Sequence, residues 1–122
     1  MSERNWLLFI EDILESNKKI QNYLKELTIE EFKKDDKTID AIVRNLEIIG
    51  EATKNIPEEI KNKHPDIYWK GMTGLRNRII HAYFDVDLDI IWKIIKDELP
   101  ILDEKIKKII ITYKSDHIIE KQ

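Results

Sequence analysis

The stretch of this chain best equipped for chemistry is Trp69-Lys70-Gly71-Met72-Thr73-Gly74-Leu75-Arg76-Asn77-Arg78-Ile79-Ile80-His81-Ala82-Tyr83-Phe84, which holds two of the four arginines of the 122 residues. On a helix, Asn77 and His81 are four apart and share a face, so the amide can hold the imidazole in one orientation. Arg76 and Tyr83, seven apart, share another face. Arg76 and His81 are five apart and diverge by about 140° at 3.6 residues per turn. They meet on one substrate only through the length of arginine or with the help of a second helix, and a paired copy of the same helix supplies that. Spacing alone equally suits an exposed histidine, a salt-bridging arginine and a half-buried tyrosine, because isolated Arg and His on helices are common.

Other clusters lead nowhere by their chemistry. Asp85, Asp87 and Asp89 imitate the opening of a calcium loop, but its sixth position is Ile90 and its twelfth Lys96, where glycine and glutamate are required. His64 and His117 have no zinc spacing with His81, and there is no cysteine to serve as thiolate ligand or disulfide partner. No glycine loop cradles phosphate and no nucleophile-elbow serine is present. The sequence therefore predicts no metal and no cofactor. Arg44, Glu47 and Glu51 lie on one side of a helix and read as an intrahelical charge ladder.

Length and composition bound the elements that must position these residues. A chain of 122 residues has room for one domain, 1–122, around one core. Charged residues make up 37%, against roughly 25% in an average domain, which suits amphipathic helices with solvated outer faces. Three Gly and three Pro are too little turn material for a many-stranded sandwich or barrel. The net charge of -3 means that the mean field does not attract polyanions, so any nucleic-acid site must be local. Residues 1–10 lack a basic segment followed by a long apolar run, and no stretch approaches the roughly 18 apolar residues that span a bilayer, which predicts a cytoplasmic protein with no membrane partner.

Apolar residues recur at three and four through Trp6, Phe9, Ile10, Ile13, Leu14, Ile20, Leu24 and Leu27, predicting a helix over 5–27. Thr28 and Glu31 have capping-box spacing and start a short turn ending at Phe32, followed by a charged connection over 33–37. A second long helix is expected over 38–55 with apolar positions Ile39, Ile42, Val43, Leu46, Ile49 and Ile56, a short one over 58–61 after Pro57, and a third main helix over 66–82. Asp87 should cap a helix whose stripe runs Leu88, Ile91, Trp92, Ile95 and Leu99; Pro100 should kink or restart it, and it should end near Tyr113 ahead of a frayed polar tail over 115–122. Four main helices with short connections make an all-α, up-and-down four-helix bundle with short additional helices.

Arg76-Asn77-Arg78-Ile79-Ile80-His81-Ala82-Tyr83 resembles the signature of HEPN-domain ribonucleases, arginine and a polar residue followed after a few positions by histidine. The His-x-Tyr ending resembles the HepT-like toxin branch. Arg44-Asn45-Leu46-Glu47-Ile48-Ile49-Gly50-Glu51-Ala52 and the Trp69 region resemble its other recurring blocks, in the same order. The resemblance implies a homodimer in which two motifs face each other across a cleft, and metal-independent endonucleolytic cleavage of RNA, tRNA or mRNA. It further implies a toxin-antitoxin pair in which an MntA-like minimal nucleotidyltransferase antitoxin adenylylates Tyr83.

RNA carries its own nucleophile, the 2′-hydroxyl, so such a protein need only move protons and stabilise the pentavalent phosphate. Imidazole, which ordinarily changes charge near neutral pH, suits His81 to proton transfer. Arg76 offers a permanently charged planar fork to phosphate oxygens, and Asn77 would orient His81 or the phosphate. The competing reading is a non-catalytic nucleotide-binding or regulatory dimer partnering a nucleotidyltransferase, in which Arg76 and His81 only bind phosphate. A third is a structural subunit whose polar motif caps a dimer interface.

Overall fold

A computed structural model describes the backbone of residues 3–84 and 87–120, with the side chains of 6–75, 77–79, 81 and 87–116. All regular structure among the described residues is helical. In order it comprises α1 (Glu3–Leu24), α2 (Ile29–Lys33), α3 (Asp36–Lys54), α4 (Glu58–Lys63), α5 (Trp69–Thr73), α6 (Leu75–Phe84), α7 (Leu88–Lys93), a π-helical turn (Ile94–Glu98) and α8 (Leu99–Glu120). α1 lies along α3, α3 supports α5 and α6, α6 meets α7, and α8 returns to pack on α1. The predicted all-α bundle is thus the observed one, and Asp85 and Val86 lie outside the described residues.

Most positions of the predicted stripes form the core, while Phe9, Leu14, Leu27 and Val43 are only half-buried. Ile10, Ile13, Ile20 and Leu24 of α1 meet Ile42, Leu46 and Ile49 of α3, all essentially without exposure. Burial of each such side chain contributes roughly 1.5–3 kcal/mol, which fixes which face each helix turns inward. The capping box forms as expected: the Thr28 hydroxyl accepts from the Glu31 N–H at 3.2 Å and the Glu31 carboxylate from the Thr28 N–H at 3.0 Å. Asp87 caps α7 by accepting from the Ile90 N–H.

Several boundaries depart from the sequence reading. α1 ends at Leu24 rather than Leu27, because Glu26 takes a left-handed φ of 70° that no helix interior tolerates. α3 starts at Asp36 rather than Thr38. Within the apparently featureless charged run Asp35 is an N-cap, accepting from the Thr38 N–H at 3.0 Å and the Thr38 hydroxyl at 2.7 Å. Those bonds, the hydroxyl's foremost, hold its carboxyl below the ordinary range. α4 runs on to Lys63, past the predicted end at Lys61.

The predicted third helix over 66–82 is two helices: Ile67 and Tyr68 precede the first turn of α5, and the chain breaks at Gly74, whose N–H still reaches the Lys70 carbonyl at 2.9 Å. The apolar period continues across the break through Met72, Leu75 and Ile79, so periodicity cannot reveal it. The last helix, expected to end near Tyr113, continues to Glu120, as no Gly or Pro interrupts it.

Pro100 leaves its mark one turn earlier. A proline has no N–H and its ring crowds the carbonyl four residues back, and the backbone widens into the π turn immediately before it. The Ile95 carbonyl, which would serve residue 100 in a π register, instead accepts from the Gln21 amide at 2.9 Å, and the Leu99 carbonyl accepts from the buried Asn17 amide at 2.8 Å. A pair of amides four residues apart on α1 therefore satisfies the irregular turn. Asn17→Ala should lower the unfolding free energy by about 1–3 kcal/mol, because a buried donor is lost. Denaturant midpoints measure it, and an unchanged midpoint would show that water replaces the bond.

Candidate functional site

α6 is the helix on which the site rests. Leu75 and Ile79, one turn apart, are buried against the core, while Asn77, Arg78 and His81 are exposed. At about 100° per residue, Asn77 and His81 fall on the side opposite that buried seam, and Arg78 falls on one flank. The backbone of residues 76 and 83 is placed on the same helix, and the side chains of Arg76 and Tyr83 lie outside the described residues. The structure therefore brings Asn77 and His81 to one outward face, as their spacing predicts.

The flank is held by an ion pair that the sequence does not announce. Arg78 presents both terminal nitrogens to Glu98, at 3.3 and 3.1 Å, joining α6 to the π turn. Both side chains are more than two-fifths exposed, so solvent screens the pair and its stability contribution stays within about 1 kcal/mol. Its bidentate geometry matters more, since it fixes the direction of a guanidinium three residues from His81.

The other family-like blocks are supports. The Trp69 indole N–H donates to the His64 carbonyl at 2.9 Å and the Lys61 carbonyl at 3.1 Å, tying the end of α4 to the start of α5. His64 is thereby a cap position rather than a ligand. Asn45 is buried and turned back on its own helix, donating to the Ala41 carbonyl at 2.8 Å. The charge ladder expected of Arg44, Glu47 and Glu51 is replaced by a shared groove of about 370 Å³ between α1 and α3, which they line with Asp12 and Asn55. Among the described residues no ion pair joins Arg44 to either glutamate. Among them, too, no group of three His, Asp or Glu side chains could hold a metal ion, and no helix is long and apolar enough to cross a membrane.

Two features escaped sequence reasoning. One is the Arg78–Glu98 pair, across a separation of 20 residues that no helical spacing encodes. The other is Tyr68, 76% exposed at the mouth of a cavity beside α6. The available signal was Gly71 three positions later, on the same helical side.

An all-helical fold that carries Asn77 and His81 on the open face of one helix, just after Arg76 in sequence, is the arrangement expected of a protein of the HEPN class. The model of the HepT-like ribonuclease family matches residues 13–109. A protein of Methanocaldococcus jannaschii, provisionally named an RNase, is 44% identical over 110 residues, 90% of this chain and 91% of its own length. A protein of Thermococcus cleftensis, named a ribonuclease HepT on a similarly provisional footing, is 45% identical over 83% of this chain and 92% of its own. A relative from Caldanaerobacter subterraneus subsp. tengcongensis, again provisionally an RNase, is 41% identical over 84% of this chain and 91% of its own. No solved structure matches the chain. The chain belongs to the HepT-like ribonuclease family. The reaction class is accordingly cleavage of an RNA phosphodiester.

Proposed function

We propose that this chain is the toxin of a toxin-antitoxin pair, a metal-independent endoribonuclease whose active face is α6 and whose complete site forms in a homodimer. The observation that carries the reading is the joint exposure of Asn77 and His81 opposite the buried seam of α6, within the residues that the family model matches. His81 takes the proton of the ribose 2′-hydroxyl, the freed oxygen attacks phosphorus as the P–O5′ bond breaks, and the departing O5′ takes up a proton from solvent. The products are a 2′,3′-cyclic phosphate and a 5′-hydroxyl. Arg76 stabilises the charge that grows on the phosphoryl oxygens, and Asn77 orients the imidazole or the phosphate.

Pairing two copies of α6 accounts for the angle of about 140° between Arg76 and His81, since the arginine of one copy can then serve the histidine of the other. Tyr83 is the point of control. Adenylylation by a minimal nucleotidyltransferase antitoxin would put a bulky anion on its hydroxyl, on the helix that receives RNA, and oppose strand entry. The substrate is a tRNA or an mRNA.

Titrating the purified protein into labelled total RNA in the presence of EDTA tests the proposal. An enzyme of this kind makes many cuts per protein molecule at an unchanged rate. Saturation at one equivalent without cleavage would mark a binding module, and neither binding nor cleavage a structural subunit.

A further inference from the structure

Beside α6, where α5 faces the π turn and the start of α8, lies a cavity of about 240 Å³. Its floor is apolar, with Met72, Leu75 and Leu99 all buried. Pockets for drug-sized ligands run from roughly 300 to 1,000 Å³, so this one is sized for a single planar ring system. Tyr68 forms one wall with its ring laid against Gly71. A Cβ at position 71 would come within 2.6 Å of Tyr68 Cε1 and closer still to Cδ1, so glycine is what lets the ring lie there. A tyrosine 76% exposed over an apolar floor is a platform on which a base can stack.

The opposite rim carries two carboxylates in sequence on the π turn. Glu98 is engaged by Arg78, whereas Asp97 lines the same cavity, is exposed, and pairs with no cation among the described residues. A carboxylate only accepts hydrogen bonds. Of the four RNA bases, guanine alone offers two adjacent N–H donors, N1–H and N2–H, on its pairing edge. Adenine and cytosine set an acceptor beside their amine, and uracil flanks its N3–H with two carbonyls. The cavity also adjoins the open face of α6, because Leu75 and Arg78 line it and His81 lies one turn beyond Arg78.

We propose that this cavity is a base subsite that takes one unstacked guanine adjacent to the cleaved phosphodiester, stacked on Tyr68 and read by Asp97. The inference rests on the ribonuclease reading above and adds to it a sequence preference.

Two single-stranded oligonucleotides test it, identical except that one carries guanosine and the other inosine, which lacks the N2 amine. The full chain should cut the guanosine strand with a kcat/KM roughly tenfold higher. Asp97→Asn, an exposed and isosteric change, should bring that ratio close to one. Tyr68→Ala should lower both substrates together by roughly ten- to a hundredfold, and Gly71→Ala should act in the same direction by displacing the ring. A ratio of one in the parent protein, or one that survives Asp97→Asn, overturns the subsite while leaving ribonuclease activity standing. The same oligonucleotides are also bound to His81→Ala, followed by fluorescence anisotropy. If neither strand is cut yet the binding ratio holds and collapses with Asp97→Asn, the nuclease reading fails and the subsite stands.

Discussion

His81→Ala should lower kcat for RNA cleavage by roughly 10²–10⁴-fold, the usual span for loss of a general acid-base group. His81 is exposed on α6 and takes no part in the buried seam of Leu75 and Ile79, so its removal leaves no cavity. Loss of activity with an unchanged unfolding curve would therefore report chemistry rather than damage. Arg76→Ala should cost roughly 10²–10³-fold by removing charge stabilisation in the transition state. On expression in cells, each variant should also slow growth less than the parent chain does. Cleavage at the parent rate by either variant would strip that residue of its assigned role.

A single 2′-deoxy substitution at the scissile nucleotide should abolish cleavage at that position and leave binding nearly intact. Phosphate contacts dominate affinity and do not involve the 2′-oxygen, whereas the proposed reaction has no other nucleophile. The comparison needs one substrate in two forms, one protein, and both an anisotropy and a gel readout. Efficient cutting of the deoxy strand would mean that water attacks instead, and the proposed roles of His81 and Arg76 would have to be redrawn around a bound hydroxide.

The long amphipathic helices were legible because burial enforces a period. Most core positions in α1 and α3 are those that the spacing of three and four selects, although Phe9, Leu14 and Val43 are only half-buried and the polar Ser16, Asn17, Asn45 and Thr53 are buried beside them. Caps with a diagnostic residue pair, Thr28 with Glu31 and Asp87 ahead of an apolar stripe, were legible too. The Asp35 cap hid in a run where every residue is charged. The break at Gly74 was hidden by an apolar seam that passes straight through it. The π turn was foreshadowed only by Pro100, and its amide partners Asn17 and Gln21 could not be paired with it across 82 and 74 residues.

For the site, the motif located the helix and the helical angle placed Asn77 with His81. No pattern tied Arg78 to Glu98 or Tyr68 to Asp97, since each of those pairs spans separate elements. Local chemistry is written in spacing. Neighbours contributed by distant segments are not.

The amide contacts from α1 to the π turn also set a timetable. Asn17 and Gln21 emerge from the ribosome early, whereas the carbonyls they serve and the helix that holds those carbonyls in place come near the end of the chain. Chains are made at about 5–20 residues per second, so for several seconds the leading helix waits with its amides facing vacant space. The π turn and the two amides that satisfy it can therefore lock together only once residues 94–99 have been added.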